Sequence, residues 1–174
     1  MAIQSLLQNL FGKPYTIGEL MNIDQGRQSR ASGCTVSLAD SFFTMSEEGV
    51  LAKFKAFFST NTIKVVYLTL KFIVRSDTGH THTVFIQLDP DFTKMSWAAN
   101  HVRIYCDCAD FKYRSAYLLD KRKSLFANDR IKIALGQAIT DKPDGKRGTT
   151  LLCKHSFAAL QYLMSNYGSI MATL

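Results

Sequence analysis

Three of the chain's four cysteines and one of its four histidines fall in two X-x-X pairs, Cys106-Asp107-Cys108 and Cys153-Lys154-His155. No other feature of the sequence restricts the fold as strongly. Side chains alternate with period two along extended backbone, so a Cys-x-Cys strand points both sulfurs to one side. A Cys-x-His at the mouth of a helix brings a thiolate and an imidazole to a common point. Together Cys106, Cys108, Cys153 and His155 make a closed tetrahedral set of three sulfurs and one nitrogen, the pattern of a structural Zn2+ site. The competing reading, buried cysteines packing as small hydrophobes, does not account for the paired spacing. Four cysteines are too few for a disulfide scaffold at this length. Their pairing favours metal and a reducing compartment for folding.

The pattern resembles a SWIM-type zinc finger, whose signature is Cys-x-Cys, a spacer and Cys-x-His. Here the spacer covers residues 109–152, 44 in all, longer than in most such fingers. The run Cys106-Asp107-Cys108-Ala109-Asp110-Phe111-Lys112-Tyr113-Arg114, followed by Cys153-Lys154-His155, is similar to a block in small tailed-bacteriophage structural proteins. The similarity covers residues from about 100 to 165. It implies a virion component folded in the reducing cytoplasm of the host cell. Its partners would be other virion subunits and further copies of itself.

The expected fold class is α+β: a small antiparallel sheet with flanking helices and a C-terminal zinc-stabilised helical segment. Residues 1–33 read as N-terminal helices and a loop, and 34–174 as a single domain whose zinc module spans 101–168. A hydrophobic content of 47% with 11% aromatics is enough for a true core. No apolar run approaches the 18 or so residues that span a bilayer. No basic residues precede the first apolar ones, which argues against a secretory signal.

Ile3, Leu6, Leu7, Leu10 and Phe11 form one stripe of a short helix, which Gly12 and Pro14 end. That stripe packs on the chain's own core or docks on a neighbour. Thr16-Ile17-Gly18-Glu19 is a capping box. Residues 24–33 read as a mobile polar loop, 34–38 as a short strand. Ser46 is the expected cap of a helix carrying Val50, Leu51, Phe54, Phe57 and Phe58. Alternation at Val66, Leu68, Leu70, Phe72 and Val74 predicts a half-buried strand, turning at Ser76-Asp77-Thr78-Gly79. Val84, Ile86 and Leu88 return it, and Val102 and Ile104 open a third strand leading to Cys106 and Cys108. Asp110 is the expected cap of a helix with Phe111, Arg114, Tyr117 and Leu118. Residues 120–150 lack pattern and read as a mobile basic segment that orders against a partner. Phe157, Leu160, Leu163, Met164 and Tyr167 share a final helical face, with Gly168 just past its end.

Net charge is +7, and residues 101–154 hold 12 Lys or Arg against 6 Asp or Glu. This surplus suits either a solvated loop or a nucleic-acid surface. Lys112, Arg114, Lys121, Arg122 and Lys123 interleave with Tyr113 and Tyr117, as a single-strand platform would. Spacing of four also suits plain helix packing. Cys34 reads as a buried strand residue, His80 and His82 as a surface pair flanking the hairpin, and His101 as ordinary. No nucleophile–base–orienter set, phosphate loop or carboxylate cluster is visible, so the chain is not expected to be an enzyme. The leading expectation is a zinc-stabilised structural or interaction protein in the head, neck or tail of a tailed phage. The alternative is a nucleic-acid-binding SWIM module; no membrane partner is expected.

Overall fold

The computed structural model describes residues 13–46, 65–90, 96–136 and 150–174. The N-terminal stripe at 3–11 and the helix expected after Ser46 lie outside the described residues. A four-stranded antiparallel sheet, order β1-β2-β3-β4, is built from β1 (Thr35–Ser46), β2 (Val65–Arg75), β3 (Thr81–Leu88) and β4 (Val102–Cys106). With flanking helices this is the expected α+β class. One face carries Leu68, Leu70, Phe72 and Val74 of β2, Val84, Ile86 and Leu88 of β3, and Val102 and Ile104 of β4, all fully buried. Val66, on the same alternation, is instead exposed at the strand's start. The β2–β3 turn places Gly79 at φ +82, a left-handed conformation that favours glycine there.

β1 is far longer than the five residues its alternation suggests. A bulge lies between Leu38 and Asp40: Leu38 pairs with Phe72 and Asp40 with Lys71. The extra residue, Ala39, changes which positions of β1 stand opposite the core residues of β2. Before it these are even (Val36, Leu38), and after it odd (Ser41, Phe43). A strict period-two pattern therefore ends where the strand itself does not.

Helix α1 (Ile17–Ile23) starts at the expected capping box: Glu19 N donates to Thr16 Oγ1 (3.2 Å), and Thr16 N to Glu19 Oε2 (2.8 Å). Its Ile17 and Leu20 are fully buried in the same core as the sheet. Residues 24–33 are not a mobile loop. A 3-10 turn (Gln25–Arg27) runs into helix α2 (Gln28–Ala31), and Ala31 is buried. The anchor is Asp24, a buried carboxylate that accepts the Leu152 amide at 2.5 Å across 128 residues of chain. Burial pushes the Asp24 pKa up, against the lowering effect of the Leu152 and Leu151 amides.

The basic segment is also more structured than its composition suggests. Helix α3 (Ala116–Lys121) is followed by a return along the sheet edge. There Ile104 N donates to Ser124 O (2.8 Å) and Phe126 N to Ile104 O (3.0 Å). Helix α4 (Asp129–Leu135) is capped by Asn128 and buries Ile131 and Leu135. Two inward residues in seven are too few to register as a periodicity. Residues 137–149 lie outside the described residues.

The long helix α5 (Lys154–Ala172) covers the sheet and packs against all four strands. Phe157, Ala159, Leu160 and Leu163 enter the core, and Phe72 meets Tyr162 edge to face at 6.0 Å. Gly168 does not end this helix, which runs on to Ala172. Burial of Ile170 in the last turn offsets the roughly 1 kcal/mol that a helical glycine costs.

Candidate metal centre

β4 delivers Cys106 as its last residue, on the buried face shared with Val102 and Ile104. Two residues on, Cys108 stands where the chain turns into a helical stretch. Cys153 is the N-cap of α5 and His155 sits in its first turn. The four candidate ligand atoms lie within 4.8 Å of one another, and all four residues are buried. A tetrahedral zinc with bonds of about 2.3 Å to sulfur and about 2.0 Å to nitrogen requires ligand separations of about 3.5–3.8 Å. The set is therefore close to a metal-holding arrangement. Every one of the four residues singled out by spacing is brought to this point. Cys34 is outside the group, half-buried just before β1.

Backbone amides favour negative sulfur here. Phe111 N donates to Cys108 Sγ and Ser156 N to Cys153 Sγ, both at 3.3 Å. Each sulfur thus takes an orphan amide at the start of a helix. This corrects the expected role of Asp110. Asp110 is itself helical and makes no cap; its carboxylate accepts from Arg114 Nε (2.9 Å) and faces Arg27 (3.7 Å). The following residues, Phe111–Ser115, form a π-helical turn. Its extra residue moves the inward positions to Phe111, Ser115, Ala116 and Leu119, leaving Tyr117 and Leu118 only half-buried.

Without a cation the three sulfurs cannot all be charged. Burial first, then the neighbouring thiols, push Cys106 well above the ordinary thiol value. For Cys108 the hydrogen bond with Cys106 lowers the value, but Cys153 and burial outweigh it, and the thiol is pushed up to about 12. Cys153 goes the other way. Burial raises it, yet hydrogen bonds from Cys106, Cys108, His155 and Ser156 bring it well below the usual value. Burial and the neighbouring sulfurs thus hold protons on Cys106 and Cys108 and favour the thiolate at Cys153, and a dication would displace the protons that remain. His155 supplies a further sign of fit: Nδ1 is 4.0 Å from Cys106 Sγ, while the buried Nε2 has no hydrogen-bond partner among the described residues.

A supporting pair went unrecognised in the sequence. The His82 ring packs against the His155 ring with centroids 4.0 Å apart and the planes tilted by 34°. His82 Nδ1 is 3.0 Å from Asp107 Oδ1, and Thr83 N donates to Asp107 Oδ2 at 3.0 Å. So His82 is no idle surface residue, and the residue between the two cysteines fixes it. The signal lay in the strand register: Val84 pairs with Cys106, which carries His82 to the level of Cys108. His80 stays exposed, and His101 Nδ1 lies 2.8 Å from Pro14 O. Lys154 binds Asp77 of the β2–β3 turn at 2.5 Å, fixing the start of α5 to the hairpin.

Asp24 holds the backbone one residue before Cys153. Asp24→Ala would strand the buried Leu152 amide and is expected to cost about 1–3 kcal/mol. Asp24→Asn, which keeps an acceptor, should cost less. Urea melts of the three proteins check this, and equal midpoints would show that the bond contributes nothing.

No helix among the described residues is long and apolar enough to cross a membrane. Compared with protein-family models, with curated proteins and with solved structures, the chain matches none.

Proposed function

We propose that the chain is a zinc-stabilised structural or interaction protein, in which the metal holds the fold and performs no chemistry. One observation carries this reading: three sulfurs and one imidazole, all buried, converge from two distant parts of the chain. Thiolate-rich tetrahedral sets favour zinc among the common divalent ions. With four protein ligands no coordination position is left for water or substrate, as a catalytic zinc requires. Cys106, Cys108, Cys153 and His155 would hold the ion; His82, itself bonded to Asp107, packs on the imidazole and would restrict its rotation.

The assembly we infer is the particle of a tailed bacteriophage, on the strength of the Cys-x-Cys-x-Asp-Phe-x-Tyr-Arg and Cys-Lys-His blocks. Mass spectrometry of purified virions should find the chain at a ring or shell stoichiometry. Its presence only in infected-cell lysate would overturn the virion role and leave the metal module standing.

A further inference from the structure

Away from the metal, the 3-10 turn, α2 and the π-helical turn enclose an open cleft of about 520 Å³. Arg27, Arg30 and Arg114 line it, with Asp24, Ile23 and Thr150. The two carboxylates in reach are already engaged: Asp24 by the Leu152 amide, Asp110 by Arg114 and Arg27. Three guanidiniums against two carboxylates leave one positive charge. Arg30 is exposed, and among the described residues no ion pair or hydrogen bond of its side chain is found.

We propose that this cleft is an anion site that takes a phosphate group, presented by a single nucleic-acid strand. This goes beyond the metal-held module and does not depend on it. Guanidinium groups match phosphate oxygens in pairs, and a backbone phosphodiester carries the single charge that the cleft leaves unbalanced. The surroundings favour a strand over a free ion. Ile23, on the cleft wall, is 51% exposed, and Tyr113, beside Arg114 in sequence, is 60% exposed. Cations continue along the same helical stretch, each over a ring: Lys112 over Tyr113 at 5.5 Å and Lys121 over Tyr117 at 5.2 Å. The exposed Tyr113 and the half-buried Tyr117, interleaved with these cations, are the kind of rings on which unpaired bases stack.

The test is fluorescence anisotropy of a labelled single-stranded oligonucleotide with the full metal-loaded chain, titrated at several salt concentrations. Arg30→Glu should weaken binding about tenfold and lower the salt slope by about one phosphate contact. Tyr113→Ala should weaken it about tenfold with the salt slope unchanged. Arg75→Glu makes the same charge change on β2, outside the cleft, and should have little effect. Unchanged metal content and melting temperature in each variant would separate binding from folding. Equal loss in Arg30→Glu and Arg75→Glu would reduce the effect to net charge and overturn the site. Inorganic phosphate shifting the amide resonances of Arg27 and Arg30, with no strand binding, would keep the anion site and overturn the strand as its source. Binding of an acidic peptide in preference to either would overturn the phosphate chemistry.

Discussion

Removing zinc is expected to unfold at least the C-terminal half of the chain. Purified protein should carry about one zinc per chain, held mainly by thiolates. The expected effect is large because binding free energy at such a site is folding free energy, about 10–16 kcal/mol in small zinc modules. Part of that is topological. The site joins Cys108 to Cys153 across 44 intervening residues. Treated as a cross-link, a closure of that length removes about 4 kcal/mol of unfolded-state entropy. Net stabilities of domains are about 5–15 kcal/mol, so the remaining contacts would not compensate. The centre also lies where β4 ends and α5 begins, so its loss frees the helix that covers the sheet. Cys106→Ser, Cys108→Ser, Cys153→Ser and His155→Ala should each lose the metal and the near-UV circular dichroism of the packed core. Cys34→Ser should keep both. Metal-free protein that melts at the same temperature as the loaded form would refute the structural role.

The four-residue cluster that could hold a metal was legible in the sequence because its information is local and chemical. Two X-x-X pairs of ligand-type residues name the four members without any knowledge of how the chain returns on itself. The central hairpin was legible for a similar reason, since alternation from Leu68 to Val74 and from Val84 to Leu88 needs no tertiary knowledge. What was missed depends on events that break a period. The bulge at Ala39 hid more than half of β1, and the π-helical turn at Phe111–Ser115 displaced the buried face of the next helix. Asp24, Ala31, Ser124 and Leu135 look like loop residues in isolation; only contacts far along the chain make them interior. The His82–Asp107 support for His155 is of the same kind, because it follows from a strand register that composition does not encode.

Metal affinity should rise steeply with pH, by about a hundredfold per unit near neutrality. The sign follows from the thiols. Cys106 lies well above its ordinary value and Cys108 at about 12, so both hold protons at neutral pH, whereas Cys153 is already shifted toward thiolate. A dication that takes all three sulfurs must expel the two thiol protons, and each proton released adds a factor of about ten per pH unit. Acidification therefore weakens the complex. The metal-free fold responds differently. A thiol whose folded pKa is raised favours the folded state below the unfolded value, near 9.0, and that contribution is lost as pH rises toward the folded one. For Cys153, with its folded pKa depressed, the contribution is present above the unfolded value and lost as pH falls through the folded one. Rising alkalinity should thus tighten the metal while withdrawing the support that the two neutral thiols give the empty site. Competition with a chromophoric chelator between about pH 6 and about pH 8, corrected for the chelator's own protonation, reads the slope directly. A slope near two would show that two protons leave on binding, the number that the raised values of Cys106 and Cys108 call for. A flat profile would show that no thiol proton leaves, and with it the assignment of three sulfurs and one imidazole to the metal would fall.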